Sequence, residues 1–246
     1  MKTIRWQVWL GAALVLASAI LYAVHYAIFR DAGHIFIYLL GDIAFLPIEV
    51  LLVTLIIHGL LSAKERRGKV EKMNMVIGAF FSEVGTKLLI CLSDWDPQLD
   101  TIREQLIVGN NWTRRVFEGI NKELRGYSYK VDMAKVNLSH LGQLLCAKKD
   151  FLVRLLENPV LLEHESFTDV LWAVFHLAEE LACREGLKDP PPRDREHLAG
   201  DMKRVYNLLV HQWLDYMEHL KDNYPYLFSL AMRTNPFDQT ASPVIQ

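Results

Sequence analysis

The segment Gly41-Asp42-Ile43-Ala44-Phe45-Leu46-Pro47-Ile48-Glu49 decides the fold, because it places two carboxylates inside a long apolar run. The run extends from about residue 35 to residue 61 and is long enough to cross a bilayer as a helix. A carboxylate near the middle of such a helix is costly in lipid and usually faces protein or water. The segment therefore predicts a membrane-spanning helix with one polar side.

A second apolar run precedes this one, over residues 6–29, and carries no charged side chain. Residues 1–62 contain only six charged side chains, whereas the rest of the chain has the composition of a water-soluble domain. A cleaved signal peptide is the alternative for the first run, but the apolar stretch continues well beyond a possible cleavage site at Ala19. The predicted domains are a two-span transmembrane helical hairpin over 1–62 (spans about 6–29 and 35–61), a cytosolic all-helical bundle over 63–232 and a flexible tail over 233–246.

Lysine and arginine flank the two apolar runs unevenly. Lys2 and Arg5 precede the first run, and Arg30 lies between the runs. Five basic residues follow the second run, between positions 64 and 72. Because positive side chains favour the cytoplasmic side, both termini are predicted to be cytoplasmic. The predicted location is a prokaryotic plasma membrane, with the lipid bilayer as a partner.

Asp42 and Glu49 are seven residues apart, so both carboxylates project from one side of a helix, about 10.5 Å apart along its axis. Pro47 lies between them, donates no backbone hydrogen bond and predicts a kink. Clustered oxygen atoms suit a proton or a hard cation. Two spans alone cannot hide this side from lipid, which predicts association with further copies of the chain.

Three other polar residues of the apolar runs are candidates for the same polar surface. Tyr38 shares the side of the helix that carries the two acids. His25 lies near the outer end of its span, as Asp42 does, and is a possible partner for that carboxylate. His58 lies near the cytoplasmic end of the second span, where contact with interfacial water is expected.

These features predict a homo-oligomeric membrane protein whose acid-lined second span forms a cation or proton channel, coupled to the cytosolic helices. The alternative is a membrane-anchored scaffold or sensor that binds a cytosolic protein partner. In that case protonated acids only hold helices together, since burial raises a carboxyl pKa. A net charge of −2 and the lack of a basic stripe exclude nucleic acid as an expected partner.

Apolar residues recur at helical spacing after residue 62. The second span is expected to continue as one helix to about residue 93, which would couple the hairpin mechanically to the domain. The helix at 163–186 has apolar residues on much of its circumference and is predicted to be the central helix of the domain. The predicted helices after residue 93 are 97–108, 112–126, 133–157, 163–186, 194–222 and 225–232.

Histidines and acids four residues apart recur on the predicted helices 163–186 and 194–222, a spacing that helical metal proteins use. The sets are His176 with Glu180, His197 with Asp201, and His211 with Asp215 and His219. Their helical positions lie opposite the apolar sides, which predicts a solvated surface. No phosphate-binding glycine loop, GxSxG or HExxH motif is present. No cofactor and no enzymatic activity are therefore expected, a metalloenzyme is a minor alternative, and His211, Asp215 and His219 are weak metal candidates.

Overall fold

The chain is built from helices. A computed structural model describes residues 2–159, 161 and 165–244, apart from the side chains of residues 2–5, 7, 62, 63, 65–67, 69 and 70. Helices account for 76% of the chain, and the described part contains no strand, which confirms the all-α class. Positions 163 and 164, where the sequence predicts the start of a helix, and positions 245 and 246 of the predicted tail lie outside the described residues.

The chain divides into two compact units, Met1–Arg66 and Arg67–Gln246. The helices are α1 (Lys2–Phe29), α2 (Ala32–Phe80), α3 (Thr86–Asp94), α4 (Arg114–Leu124), α5 (Leu138–Cys146), α6 (Lys149–Leu156), α7 (Glu165–Ala182), α8 (Pro192–Asn223) and α9 (Pro225–Arg233). A π-helical turn, Phe81–Gly85, joins α2 to α3, and two 3₁₀ turns, Leu99–Thr101 and Glu104–Leu106, follow α3.

A two-residue connection joins α1 to α2. Arg30 has a φ of 50°, in the left-handed region that ends many helices. Asp31 then caps α2, since its Oδ1 accepts a hydrogen bond from the backbone N–H of His34 at 3.1 Å. α2 stays helical on both sides of Pro47. The predicted kink at Pro47 stays a prediction.

Among the residues that the structure describes, three helical segments are long and apolar enough to cross a membrane: Val8–Phe29, Ala32–Leu61 and Glu71–Asp94. No residue in the apolar windows of the first two segments is buried within the chain, whereas 44% of the window of the third segment is buried. Among the described side chains from Trp6 to Leu61, only His25 and Ile35 are partly buried. The first two segments therefore leave their apolar side chains to be covered by something else, while the third contributes to a protein core.

The core of the second unit is formed mainly by α7 and α8. Both predicted apolar sides are buried, from Phe167 to Leu181 on α7 and from Leu198 to Leu220 on α8. α7 packs against α5 and α6 as well as α8, and α8 also packs against α3, α4 and α9. The helix predicted to be central thus shares that place with α8.

Two predicted helices differ from the structure. The segment 97–108 forms two 3₁₀ turns instead of an α-helix, although Leu99, Ile102 and Leu106 are buried as their spacing indicates. The segment 133–157 forms two helices that meet at Ala147 and Lys148, and the first begins only after Asn137, whose side chain caps it. In both cases the apolar spacing marks the buried side but does not distinguish one continuous helix from shorter turns.

The predicted flexible tail is corrected at its start. Asn235 and Phe237 are buried, although they lie after the last helix. Asn235 Nδ2 donates to the Leu106 carbonyl at 2.8 Å, and the Phe237 ring packs against Trp213 with ring centroids 5.1 Å apart. The Phe237 carbonyl in turn accepts from Arg103 at 3.2 Å. The packed domain therefore extends to about residue 238.

We expect Phe237→Ala to lower the free energy of unfolding of the second unit by about 3 kcal/mol, because it leaves a cavity beside Trp213. Chemical denaturation of the full chain in detergent, followed by tryptophan fluorescence, measures the change. Deleting residues 239–246 is the matched control and should leave stability nearly unchanged. Equal effects of the two changes, or none from Phe237→Ala, would contradict the packed position of Phe237.

Candidate functional site

A polar cleft lies between α1 and α2. Its volume is about 420 Å³. The lining residues are Ser18, Leu21, Tyr22, His25, Ile35, Tyr38 and Asp42. Three residues that the sequence singles out, His25, Tyr38 and Asp42, therefore share one cleft.

Aromatic rings contact one another near the connection between the two helices. His25 stacks on His34 with ring centroids 5.9 Å apart, and His34 meets the edge of Tyr38 at 4.7 Å. The cleft thus combines imidazole, phenol and carboxylate groups in an otherwise apolar hairpin. Such groups bind and transfer protons or coordinate small cations.

Glu49 lies outside this cleft. It is two helical turns beyond Asp42 on α2, and both carboxylate residues are exposed in the single chain. His58 is also exposed, near the end of the apolar run. The cleft therefore gathers Asp42, His25 and Tyr38 but not Glu49 or His58.

A second polar cluster lies where α7 and α8 run antiparallel. Ser166 contacts Gln212 near the start of α7, whereas Glu180 contacts His197 near its end. This pairing brings the i,i+4 pair His176–Glu180 of α7 against the i,i+4 pair His197–Asp201 of α8. We call these four residues the α7–α8 cluster.

The contacts within the α7–α8 cluster converge on the carboxylates. His176 Nε2 lies 3.6 Å and His197 Nε2 lies 3.4 Å from the same atom, Asp201 Oδ2. His197 Nε2 is 3.5 Å from Glu180 Oε2, and His176 Nε2 is 3.8 Å from Glu180 Oε1. One atom each of Glu180, His197 and Asp201 lies within 4.8 Å of the other two.

Burial differs sharply within the α7–α8 cluster. The Asp201 side chain is 5% exposed, whereas those of His176 and His197 are 47% and 53% exposed. Asp201 Oδ2 is buried and has no hydrogen-bond donor among the described residues. The sequence predicts a solvated surface here, and the burial of Asp201 corrects that prediction, because α7 covers a position that lies at the edge of the apolar side of α8.

Arg184 fixes the Glu180 end of the cluster. Its guanidinium donates to Glu180 Oε2 at 2.8 Å and to both Asp194 oxygens, at 2.6 and 2.9 Å. The hydrogen bond from Arg184 holds the pKa values of the Glu180 and Asp194 carboxyls below their usual range. Sequence reasoning missed Arg184 and Asp194, because only the connection between α7 and α8 brings them together.

The weak metal candidates His211, Asp215 and His219 are not gathered into a ligand set. His211 Nδ1 and Asp215 Oδ1 both contact the Asn121 side chain. His219 Nδ1 contacts the side-chain amides of Asn74 and Asn223, at 3.0 and 3.1 Å. These residues join α8 to α4 and α2.

The apolar hairpin and the helical domain define an all-helical protein of two units. Two family models match the chain. The model of the N-terminal helical domain of MJ1433 matches residues 2–61. The model of the C-terminal helical domain of uncharacterized protein MJ1433 matches residues 69–233. The chain is 47% identical over 234 residues to the uncharacterized protein MJ1433 of Methanocaldococcus jannaschii. The aligned region covers 95% of this chain and 94% of that protein. The chain therefore belongs to the MJ1433 family. No solved structure matches it.

Partial burial lowers the pKa values of His211 and His219, and for His211 the Arg125 charge adds to this effect. The unfolded chain therefore binds protons at these two positions at a higher pH than the folded chain does. Stability is then lost as the pH falls below about 6.5. We expect the Tm of the second unit to fall between about pH 7 and pH 5.5, and to fall less in the double variant His211→Gln/His219→Gln.

Differential scanning fluorimetry of the full chain in detergent measures this pH dependence. His140→Gln is the control, because His140 is exposed and lies outside these contacts. A pH dependence that is the same in the wild type and the double variant would show that other groups cause it.

Proposed function

We propose that the protein is a homo-oligomeric integral membrane protein in which α2 lines a cation or proton path. The polar cleft that contains Asp42 carries this proposal. It lies between the apolar segments Val8–Phe29 and Ala32–Leu61, whose described side chains are exposed apart from His25 and Ile35. An exposed apolar surface of this size is stable in the hydrocarbon core of a bilayer.

Self-association follows from the position of the acids. Neither Asp42 nor Glu49 is covered by the described residues of its own chain. An ionised carboxylate in hydrocarbon costs several kcal/mol, so these side chains turn towards protein or water. Copies of the hairpin that meet along this side of α2 give each acid such surroundings. The result is a central polar surface with two levels of carboxylates, at Asp42 and at Glu49.

Such a surface has the composition of a cation-selective path. Rings of acidic side chains attract cations and exclude anions, and imidazole and phenol groups pass protons. His25 and Tyr38 are placed beside Asp42 for that role. Glu49 is the deeper site and Asp42 the outer one, with Pro47 between them. A monovalent cation or a proton is the proposed ligand.

Both termini are proposed to face the cytoplasm of a prokaryotic cell. Two exposed free thiols, Cys146 and Cys183, report on this orientation, because both lie in the second unit. We expect a membrane-impermeant maleimide to label them in inverted membrane vesicles but not in right-side-out vesicles.

The matched control is Ala32→Cys in a variant that has Ser at positions 91, 146 and 183. Position 32 lies at the connection between α1 and α2, so it should label only from the opposite side. Labelling of Cys146 and Cys183 from the outside would reverse the proposed orientation.

Ion flux through liposomes that contain the purified full chain tests the path itself. We expect a proton or monovalent-cation flux that falls at least about tenfold in Glu49→Gln, because a binding site worth about 1.4 kcal/mol accounts for that factor. Asp42→Asn should lower the flux in the same direction. A pH-sensitive dye and ion-selective electrodes measure the two fluxes.

Glu71→Gln is the control, since it removes an exposed carboxylate from α2 beyond the apolar run. Flux that is unchanged in Glu49→Gln would refute the path. No flux in the wild type, together with loss of oligomers in Glu49→Leu, would instead favour a membrane-anchored scaffold for a cytosolic partner. Crosslinking in detergent gives the oligomeric state of each variant.

A further inference from the structure

The α7–α8 cluster has distances that do not fit hydrogen bonds. A hydrogen bond between an imidazole nitrogen and a carboxylate oxygen is about 2.7–3.2 Å long, and one at 3.6 Å is too long. All four histidine–carboxylate distances of the cluster lie between 3.4 and 3.8 Å. The side chains therefore face one another without bonding directly.

The same distances fit ligands that share one metal ion. Two ligand atoms that are each about 2.1 Å from a tetrahedral ion lie about 3.4 Å from one another. The separations from His197 to Asp201 and to Glu180, 3.4 and 3.5 Å, match this value. These three residues are the group whose ligand atoms all lie within 4.8 Å of one another, and His176 lies beside them, 3.6 Å from Asp201.

Asp201 supplies an independent observation. Its Oδ2 is buried without a hydrogen-bond donor among the described residues, yet the Nε2 atoms of both histidines lie within 3.6 Å of it. A buried carboxylate oxygen without a donor costs free energy, and buried charges are normally paired or bound to a metal. The nearest guanidinium, that of Arg204, is 3.8 Å from the other oxygen and is mostly exposed. A cation at Oδ2 would remove this cost.

The surrounding charges permit a divalent ion. Glu180, Asp194 and Asp201 oppose Arg184 and Arg204, which leaves an excess of one negative charge when the histidines are neutral. Arg184 also orients Glu180 by donating to its Oε2. Hydrogen bonds of this kind hold metal ligands in position in many sites. The exposed edges of His176 and His197 leave an entry from solvent.

We propose that Glu180, His197 and Asp201, with His176 beside them, form a binding site for a divalent transition-metal ion between α7 and α8. The His197 imidazole favours Zn²⁺, Fe²⁺ or Mn²⁺ over Ca²⁺ and Mg²⁺, which prefer oxygen ligands. The site is separate in sequence from the apolar hairpin. It therefore stands or falls independently of the proposed ion path.

Titration of chelator-treated full chain in detergent with Zn²⁺, followed by isothermal calorimetry, tests this site. We expect one Zn²⁺ per chain, and a loss of affinity in His197→Gln of more than about 100-fold, the upper end of the cost of losing an outer partner of a ligand. Asp201→Asn should show a similar loss. Co²⁺ bound at the site should give the absorption spectrum of an ion with nitrogen and oxygen ligands. Mg²⁺ should not compete with Zn²⁺ for the site.

Two further variants keep the test decisive. His140→Gln removes an exposed histidine outside the cluster and should bind Zn²⁺ as the wild type does. Arg184→Gln frees Glu180 and should weaken binding about 10-fold to 100-fold without abolishing it. His197→Gln changes a half-exposed side chain and remains the decisive ligand variant if Asp201→Asn does not fold, as judged by circular dichroism.

Wild-type stoichiometry well below one, or affinity that is unchanged in His197→Gln and Asp201→Asn, would overturn the proposal. An equal loss in His140→Gln would assign the binding to surface histidines in general. Absence of Zn²⁺ binding to the wild type would show that the cluster only joins α7 to α8 through contacts between its side chains.

Discussion

The antiparallel packing of α7 against α8 is the constraint on which the second unit depends. Each helix buries one apolar side against the other, and the remaining helices pack around this pair. Burial of large apolar side chains contributes about 1.5–3 kcal/mol each, so the pair fixes its own register strongly. That register also decides which polar residues meet at the edges of the interface. The α7–α8 cluster is a consequence of this packing and adds no separate element to the fold.

The first unit, in contrast, has no such packed core among its described residues. Its two helices bury almost nothing against each other, since the described side chains of 8–61 are exposed apart from His25 and Ile35. A helix that is apolar on all sides is stable only when lipid or protein covers it. In the proposed membrane location, the few polar groups determine which side of the hairpin turns away from lipid. Asp42, beside His25 and Tyr38, marks that side of the hairpin.

The sequence alone predicts the all-α class and the buried sides of α7 and α8, because apolar spacing reports directly on burial. It does not predict the 3₁₀ turns at 99–106. Leu99, Ile102 and Leu106 are three and four residues apart and all buried, and this spacing is compatible with one α-helix as well as with successive 3₁₀ turns. Nor does it predict the packing of Phe237, which follows a Pro and a polar segment. A single aromatic residue carries no periodicity, so only the presence of Trp213 beside it reveals its role.

The α7–α8 cluster could not be predicted from the apolar spacing within single helices. The four-residue spacing of His176 with Glu180 and of His197 with Asp201 is visible in the sequence, and each pair lies beside an apolar side. Taken one helix at a time, such a position is solvated. When two helices pack through their apolar sides, however, the residues at the edges of those sides face each other across the interface. The two i,i+4 pairs then bring two imidazoles and two carboxylates together from adjacent turns of two helices.

Whether the two edges meet depends on the interhelical register, which a periodicity within one helix does not contain. Arg184 and Asp194, at the two ends of the connection, join α7 to α8 and hold that register near the cluster. Glu180 is bonded to the same guanidinium, so the connection between the helices and one proposed ligand are mechanically linked. A metal ion bound by Glu180, His197 and Asp201 would then stabilise the α7–α8 pair that organises the whole second unit, because binding to the folded state alone shifts the folding equilibrium.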